Sequence, residues 1–172
     1  LGDGVDSLAV DDRVTIYNID YCGTCVHCRV GKQQLCESRR ILGVNAGTWG
    51  AMAPYVACPV KCLFPFDKNA DPAIALLAEP IGIATHPVNI ANVQPDNRVS
   101  IVGGGTIGLA LTIVLRDRGV AAVHVLDRVP EKLAMIESFG GKGVNIDETD
   151  PMKIAADADV AFEAVGAGKT AH

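Results

Sequence analysis

The stretch Val99-Ser100-Ile101-Val102-Gly103-Gly104-Gly105-Thr106-Ile107-Gly108 carries the most information in this sequence. Val99 to Val102 is short, apolar and rich in β-branched residues, which predicts a buried strand. It runs directly into a G-x-G-x-x-G. Ile107, Leu111, Val114 and Leu115 then recur at helical spacing up to Gly119, a residue suited to ending a helix. Ala122 to Leu126 is a second apolar strand, and Asp127 closes it 19 residues after Gly108. Strand, glycines, helix, strand and terminal acid in that order predict a βαβ unit that binds a dinucleotide, where a glycine turn alone would be only a structural bend. Gly103 permits the tight turn, Gly105 lets a pyrophosphate approach the backbone, and Gly108 lets helix and strand pack closely. Thr106 and Ile107 lie between these glycines and belong to the same candidate site. The helix start presents free N–H groups and a positive dipole end to phosphates. Asp127 is placed to accept hydrogen bonds from the adenosine ribose and to repel a 2′-phosphate, so NAD is favoured over NADP. Arg128 follows it and is the residue that would meet such a phosphate.

Before this unit, Gly2-Asp3-Gly4 reads as a turn and Arg13 to Tyr17 as a strand. Met52 to Phe66 has a strand-like pattern interrupted by Pro54 and Pro59, which fits an edge or barrel arrangement. Asp71-Pro72 reads as a helix N-cap with proline at the first helical position, followed by a helix over Ala73 to Leu77. Another helix is expected from Pro80 towards Val93, kinked at Pro87. After Asp127, Pro130 opens an amphipathic helix ending before Gly140-Gly141. Val144 to Ile146 and Val160 to Glu163 read as further strands. The expected fold class is therefore α/β. Four strands of a doubly wound parallel sheet should lie in the order 3-2-1-4.

With 172 residues and a net charge of −5, the chain has room for one large or two small domains. Its charge offers no reason to expect nucleic acid or an anionic membrane as partner. No run reads as approaching transmembrane length, and no signal peptide is visible. Six cysteines beside a dinucleotide domain point to the reducing cytoplasm rather than to disulfides. The first residue is Leu1, so the sequence reads as a piece of something longer.

Cys22, Cys25, Cys28 and Cys36 have the spacing C-x2-C-x2-C-x7-C. Two overlapping C-x2-C turns gather three sulfurs around one point, and Cys36 closes a tetrahedron. Four thiolates with no open position predict a structural zinc site. Arg29 and Lys32 lie nearby to offset its negative charge, and His27 is expected to be solvent-exposed. An iron–sulfur cluster is the competing reading, with Cys58-Pro59 as a remote Cys-Pro. The x7 spacing of Cys36 argues against it. Cys58 and Cys62 are expected as buried free thiols on one face of a strand.

Together these motifs resemble the zinc-dependent medium-chain alcohol dehydrogenases, most closely the sorbitol/polyol branch, with threonine dehydrogenases nearby. The resemblance rests on Asp11-Asp12-Arg13-Val14, the four-cysteine lobe, Gly50-Ala51-Met52-Ala53-Pro54-Tyr55, Glu79-Pro80, the glycine fingerprint with Asp127, and Asp159 to Gly166. It implies a partial GroES-like catalytic domain over residues 1–78, with its zinc lobe at 22–36, and a truncated Rossmann domain over 79–172. It further implies that Ile107 packs behind the nicotinamide and that Val165 and Gly166 line its ribose. Glu79 stands where the family supplies a third ligand or a water-linked carboxylate to a catalytic zinc. An acid favoured by a helix dipole is the plain alternative. The other catalytic ligands in this family precede the turn at Gly2, and Pro54 replaces a usual glutamate. The implied function is oxidation of a secondary alcohol or polyol to a ketone by hydride transfer to NAD, in a homodimeric or homotetrameric parent. The 172-residue chain by itself is expected to be inactive. A non-catalytic zinc-binding or NAD-sensing module is the rival from another class.

Overall fold

In the computed structural model, residues 1–167 are described, and they form two compact units, Leu1–Leu76 and Leu77 onward. The first unit is built from short elements. Strand β1 (Val14–Ile16) pairs antiparallel with β4 (Leu63–Pro65), and β2 (Ile19–Asp20) pairs antiparallel with β3 (Arg40–Ile41). Between β2 and β3 the chain loops out through a one-turn helix α1 (Val26–Arg29) and a 3-10 turn, Gln33–Leu35. The unit ends in α2 (Pro72–Leu76), where Asp71 Oδ1 accepts the Ala73 N–H at 2.9 Å, the cap expected of Asp-Pro.

The strand expected over Met52 to Phe66 shrinks to β4. Pro54 and Pro59 remove ladder donors, and Pro59, at φ −59°, leads into a 3-10 turn at Val60–Cys62 instead. Cys58 and Cys62 are therefore not on a strand. Cys62 is buried at the end of that turn, and Cys58 sits half-buried in the loop before it.

The second unit begins with α3 (Ala78–Ile90), which starts two residues earlier than expected, ends short of Val93 and carries Pro87 inside it. Its N-terminal placement puts Pro80 in the first turn, where a missing N–H costs nothing. The stretch Pro72–Ile90, 19 residues of mean hydropathy 1.2, is long and apolar enough to cross a membrane by length and composition, contrary to the sequence reading. Within it Ala84 and Val88 are fully buried in the core of the second unit.

Next come β5 (Arg98–Val102), α4 (Thr106–Asp117), β6 (Ala122–Asp127), α5 (Pro130–Ser138), β7 (Lys142–Asn145), α6 (Pro151–Ala155) and β8 (Val160–Glu163). The four strands form one parallel sheet in the order β7-β6-β5-β8, the predicted 3-2-1-4. Ile101, Val99 and Val125 from the strands meet Leu115 of α4, Ile136 of α5 and Val88 of α3 in a core of fully buried side chains. Gly119, at φ +82°, ends α4 with its N–H on the Arg116 carbonyl, while the Val120 N–H returns to Leu115.

Candidate functional site

The four cysteines expected to bind metal meet in the loop between β2 and β3. Their sulfurs all lie within 4.8 Å of one another, and Cys22 Sγ is 4.0 Å from Cys28 Sγ. Zn–S bonds of about 2.3 Å in a tetrahedron need sulfurs a little under 4 Å apart, so the quartet fits zinc after a small contraction. Local backbone geometry prepares it. The Thr24 and Cys25 N–H groups donate to Cys22 Sγ at 3.4 and 3.3 Å, and the Cys22 N–H donates to Cys36 Sγ at 3.3 Å. Those donors pull the Cys22 thiol down to about 6, chiefly through Thr24 and Cys25. Desolvation and the neighbouring thiols push Cys28 up to about 12. Cys36 is fully buried at the back of the site. Cys58 is not among the four, so the ferredoxin-like reading loses its remote ligand. His27 is half-buried rather than exposed, while Arg29 and Lys32 are exposed on the same lobe.

The glycine loop joins β5 to α4. Gly103 has φ +105°, and a Cβ there would lie 2.8 Å from Val165 Cγ2, so the end of β8 packs directly on the turn. Nothing lies within 4 Å of where a Gly105 Cβ would be, so the backbone at the start of α4 is open. A Cβ on Gly108 would sit 1.9 Å from the Gly103 carbonyl oxygen, so only glycine lets helix and turn pass. Thr106 is exposed, Ile107 half-buried against the core.

Asp127 closes the other side of this loop. Its Oδ2 accepts the Gly104 N–H at 2.8 Å, and its Oδ1 accepts the Arg128 and Val129 N–H groups at 2.8 and 3.0 Å. Burial opposes ionisation of the carboxyl, but these three donors outweigh it and hold the group below the usual carboxylate range. Lys132, on the first turn of α5, brings its Nζ to 3.6 Å from Oδ2. Sequence reasoning passed over Lys132. Its signal is a lysine five positions after the strand-terminal acid, just inside a helix opened by Pro130. The Arg128 side chain is exposed. At the end of β8, Glu163 Oε1 accepts the Val165 and Gly166 N–H groups at 2.9 and 3.0 Å. The second unit thus brings Gly103, Gly105, Gly108, Asp127 and Val165 around one loop.

Glu79 belongs to no metal-ready group. It is exposed in the first turn of α3, and among the described residues only the cysteine quartet forms a metal-ready group of three or more His, Cys, Asp or Glu.

Comparison with known proteins bears on both units. Residues 1–68 match the alcohol dehydrogenase GroES-like domain. The L-threonine 3-dehydrogenase of Bacillus velezensis is 31% identical over 154 residues, spanning 89% of this chain and 44% of the relative. The erythritol/L-threitol dehydrogenase of Mycolicibacterium smegmatis is 33% identical over 167 residues, 92% of this chain and 46% of that one. Among solved structures, a putative zinc-binding dehydrogenase from Sinorhizobium meliloti 1021 bound to NADP superposes with a TM-score of 0.89 at 27% identity, covering 99% of this chain and 52% of the other. The chain spans about half the length of the relatives it matches. On this domain match and these relatives, the chain belongs to the zinc-dependent medium-chain alcohol dehydrogenase family.

Proposed function

We propose that the protein acts as an NAD-linked alcohol or polyol dehydrogenase, with these residues supplying a structural zinc lobe and the adenosine and phosphate side of the nucleotide site. Oxidation of a secondary alcohol to a ketone, with hydride passing to the nicotinamide, is the chemistry that a catalytic zinc and NAD supply when bound. The chain's own part is binding and orientation. The α4 N–H groups and the open backbone at Gly105 would hold the pyrophosphate. Asp127 would accept from the ribose hydroxyls while Lys132 flanks them, and Val165 and Gly166 would border the nicotinamide ribose. Cys22, Cys25, Cys28 and Cys36 would hold the structural zinc and have no open position for substrate. Glu79 is kept as the candidate contributor to a catalytic zinc. Six free cysteines support a cytoplasmic setting.

The observation that carries NAD over NADP is Asp127. Its carboxylate is held ionised at the ribose end of the site, so a 2′-phosphate would meet a fixed negative charge. The Sinorhizobium structure is of a protein bound to NADP, so the relatives do not choose between the cofactors. The test is calorimetric titration of the chain with NAD and NADP. NAD should bind more tightly, and Asp127→Ser should shrink that preference by about tenfold, near 1.4 kcal/mol. A wild type that prefers NADP sinks the assignment. Because the described residues carry one metal-ready group and it is closed, the 172-residue chain incubated with NAD, zinc and secondary alcohols should produce no NADH. Turnover near ~1 per second would show that catalytic ligands lie within it.

A further inference from the structure

We propose that Glu163 is a positioning residue of the nucleotide site: its side chain locks the turn after β8 and so sets Val165 against the glycine loop. The proposal deepens the dinucleotide reading above and rests on it. Strand β8 ends beside β5 with Glu163 opposite Val102, and the last ladder bond runs from the Ala164 N–H to the Val102 carbonyl at 2.8 Å. Beyond it the chain leaves the ladder, so the Val165 and Gly166 N–H groups need another acceptor. Glu163 supplies one from its own side chain. Its Oε1 accepts from Val165 at 2.9 Å and from Gly166 at 3.0 Å, and Oε2 lies 3.3 Å from the same Gly166 nitrogen. Bonds to a charged acceptor are stronger than bonds to a neutral one, so this turn is held more firmly than a backbone turn would be.

The turn fixes what lies against Gly103. Gly166 takes φ +73°, a conformation that suits glycine, and reverses the chain under the carboxylate. With the ladder bond at Ala164 on one side and the carboxylate on the other, Val165 has little freedom. Its Cγ2 lies 2.8 Å from where a Gly103 Cβ would be, and the Ala164 carbonyl carbon and oxygen lie at 3.1 and 3.2 Å. Gly103 is itself pinned, with φ +105° and its N–H on the Leu126 carbonyl at 2.8 Å. A side chain at position 103 would expel Val165, and Val165 fills the space that the glycine leaves. It is still 51% exposed, so the rest of its surface is available to a ligand.

Two carboxylates thus brace the glycine loop from its two neighbouring strands. Asp127, at the end of β6, accepts the Gly104 N–H and is placed to meet the adenosine ribose directly. Glu163, at the end of β8, spends its bonds on its own turn and acts on a ligand only through Val165. Holding that wall in place before the nicotinamide ribose arrives lowers the cost of binding. Removing the Glu163 carboxylate therefore weakens only those ligands that are long enough to reach Val165.

The experiment titrates NAD and AMP by calorimetry into the 172-residue chain and into Glu163→Ala and Glu163→Gln. AMP carries the adenosine and one phosphate but neither the nicotinamide nor its ribose. Glu163→Ala should bind NAD about tenfold more weakly, with its AMP affinity and its melting temperature unchanged. Glu163→Gln keeps an amide oxygen where Oε1 accepts both short bonds, and should bind NAD within about threefold of wild type. A Glu163→Ala that binds NAD like wild type overturns the proposal. So does one that loses NAD and AMP alike, because the residue would then support the unit as a whole rather than one wall of the site. A Glu163→Gln as weak as Glu163→Ala also overturns it, since an acceptor oxygen would not be what the turn needs. A wild type that binds neither nucleotide overturns the dinucleotide reading itself, and the positioning role falls with it.

Discussion

At Gly108 one hydrogen atom separates a working loop from a blocked one. A methyl group there would sit 1.9 Å from a backbone oxygen of Gly103, and neither partner is the free end of a side chain. Gly108→Ala must therefore displace either the turn or the start of α4. The expected cost is on the order of 3 kcal/mol, which for a unit of this size lowers its melting temperature by more than ~10 °C. Nucleotide binding should be lost as well, since the N–H groups of the loop move with it. Gly105→Ala is the matched control, with open space where its methyl would go. It should leave stability nearly unchanged and weaken only nucleotide binding. Equal melting temperatures for wild type and Gly108→Ala would remove the steric argument. The role of Gly108 was readable from its place in the motif. The hydrogen bond from Gly104 to Asp127 was not, because it joins residues 23 apart in sequence.

Among the elements, the zinc lobe shows how little secondary structure a functional piece requires. Between β2 and β3 it holds one helical turn and one 3-10 turn. Metal coordination would take the place of hydrophobic packing here, and the expected outcome is that the purified chain carries one zinc, coupled to folding of the lobe. Cys25→Ser should lose that zinc and loosen residues 21 to 39, as read by elemental analysis and hydrogen exchange. Full occupancy in the variant, or no zinc in reduced wild type, would contradict the site. The lobe was legible because ligand spacing is a local signal. So was the parallel sheet, whose strands are continuous apolar runs bounded by glycine, proline and acidic turns. Met52 to Phe66 misled because alternating apolar residues suggested a strand while Pro54 and Pro59 withheld its donors, and the backbone followed the prolines. The β2–β3 ladder is only two residue pairs long, too short to leave any periodicity.

Across the whole molecule the two units are stabilised in different ways. Residues Leu77 onward contain the entire cluster of buried apolar side chains, from Ala84 and Val88 to Ile136. In residues 1–76 the only buried side chains are Cys36 and Cys62. Val10, Val44, Trp49, Met52 and Tyr55 are all more than 70% exposed there. Zinc held by the cysteine quartet would staple these residues together. Calorimetry should therefore resolve two transitions. A strong chelator should abolish the one belonging to the first unit and leave the other within about 2 °C, a shift that corresponds to less than 1 kcal/mol for a domain of this length. A single transition that moves as a whole with chelator would show that the units do not melt separately.

Because one of those two buried residues is itself a cysteine of the quartet, zinc held there would tie the lifetime of the first unit to metal supply. Protein synthesised during zinc starvation would present residues 1–76 as an open substrate to cellular proteases. The parallel-sheet unit from Leu77 onward would survive the same digestion. Digestion would then leave a trimmed remnant of residues from 77 onward, and the ratio of intact to trimmed chain would record how much zinc was at hand when the chain folded.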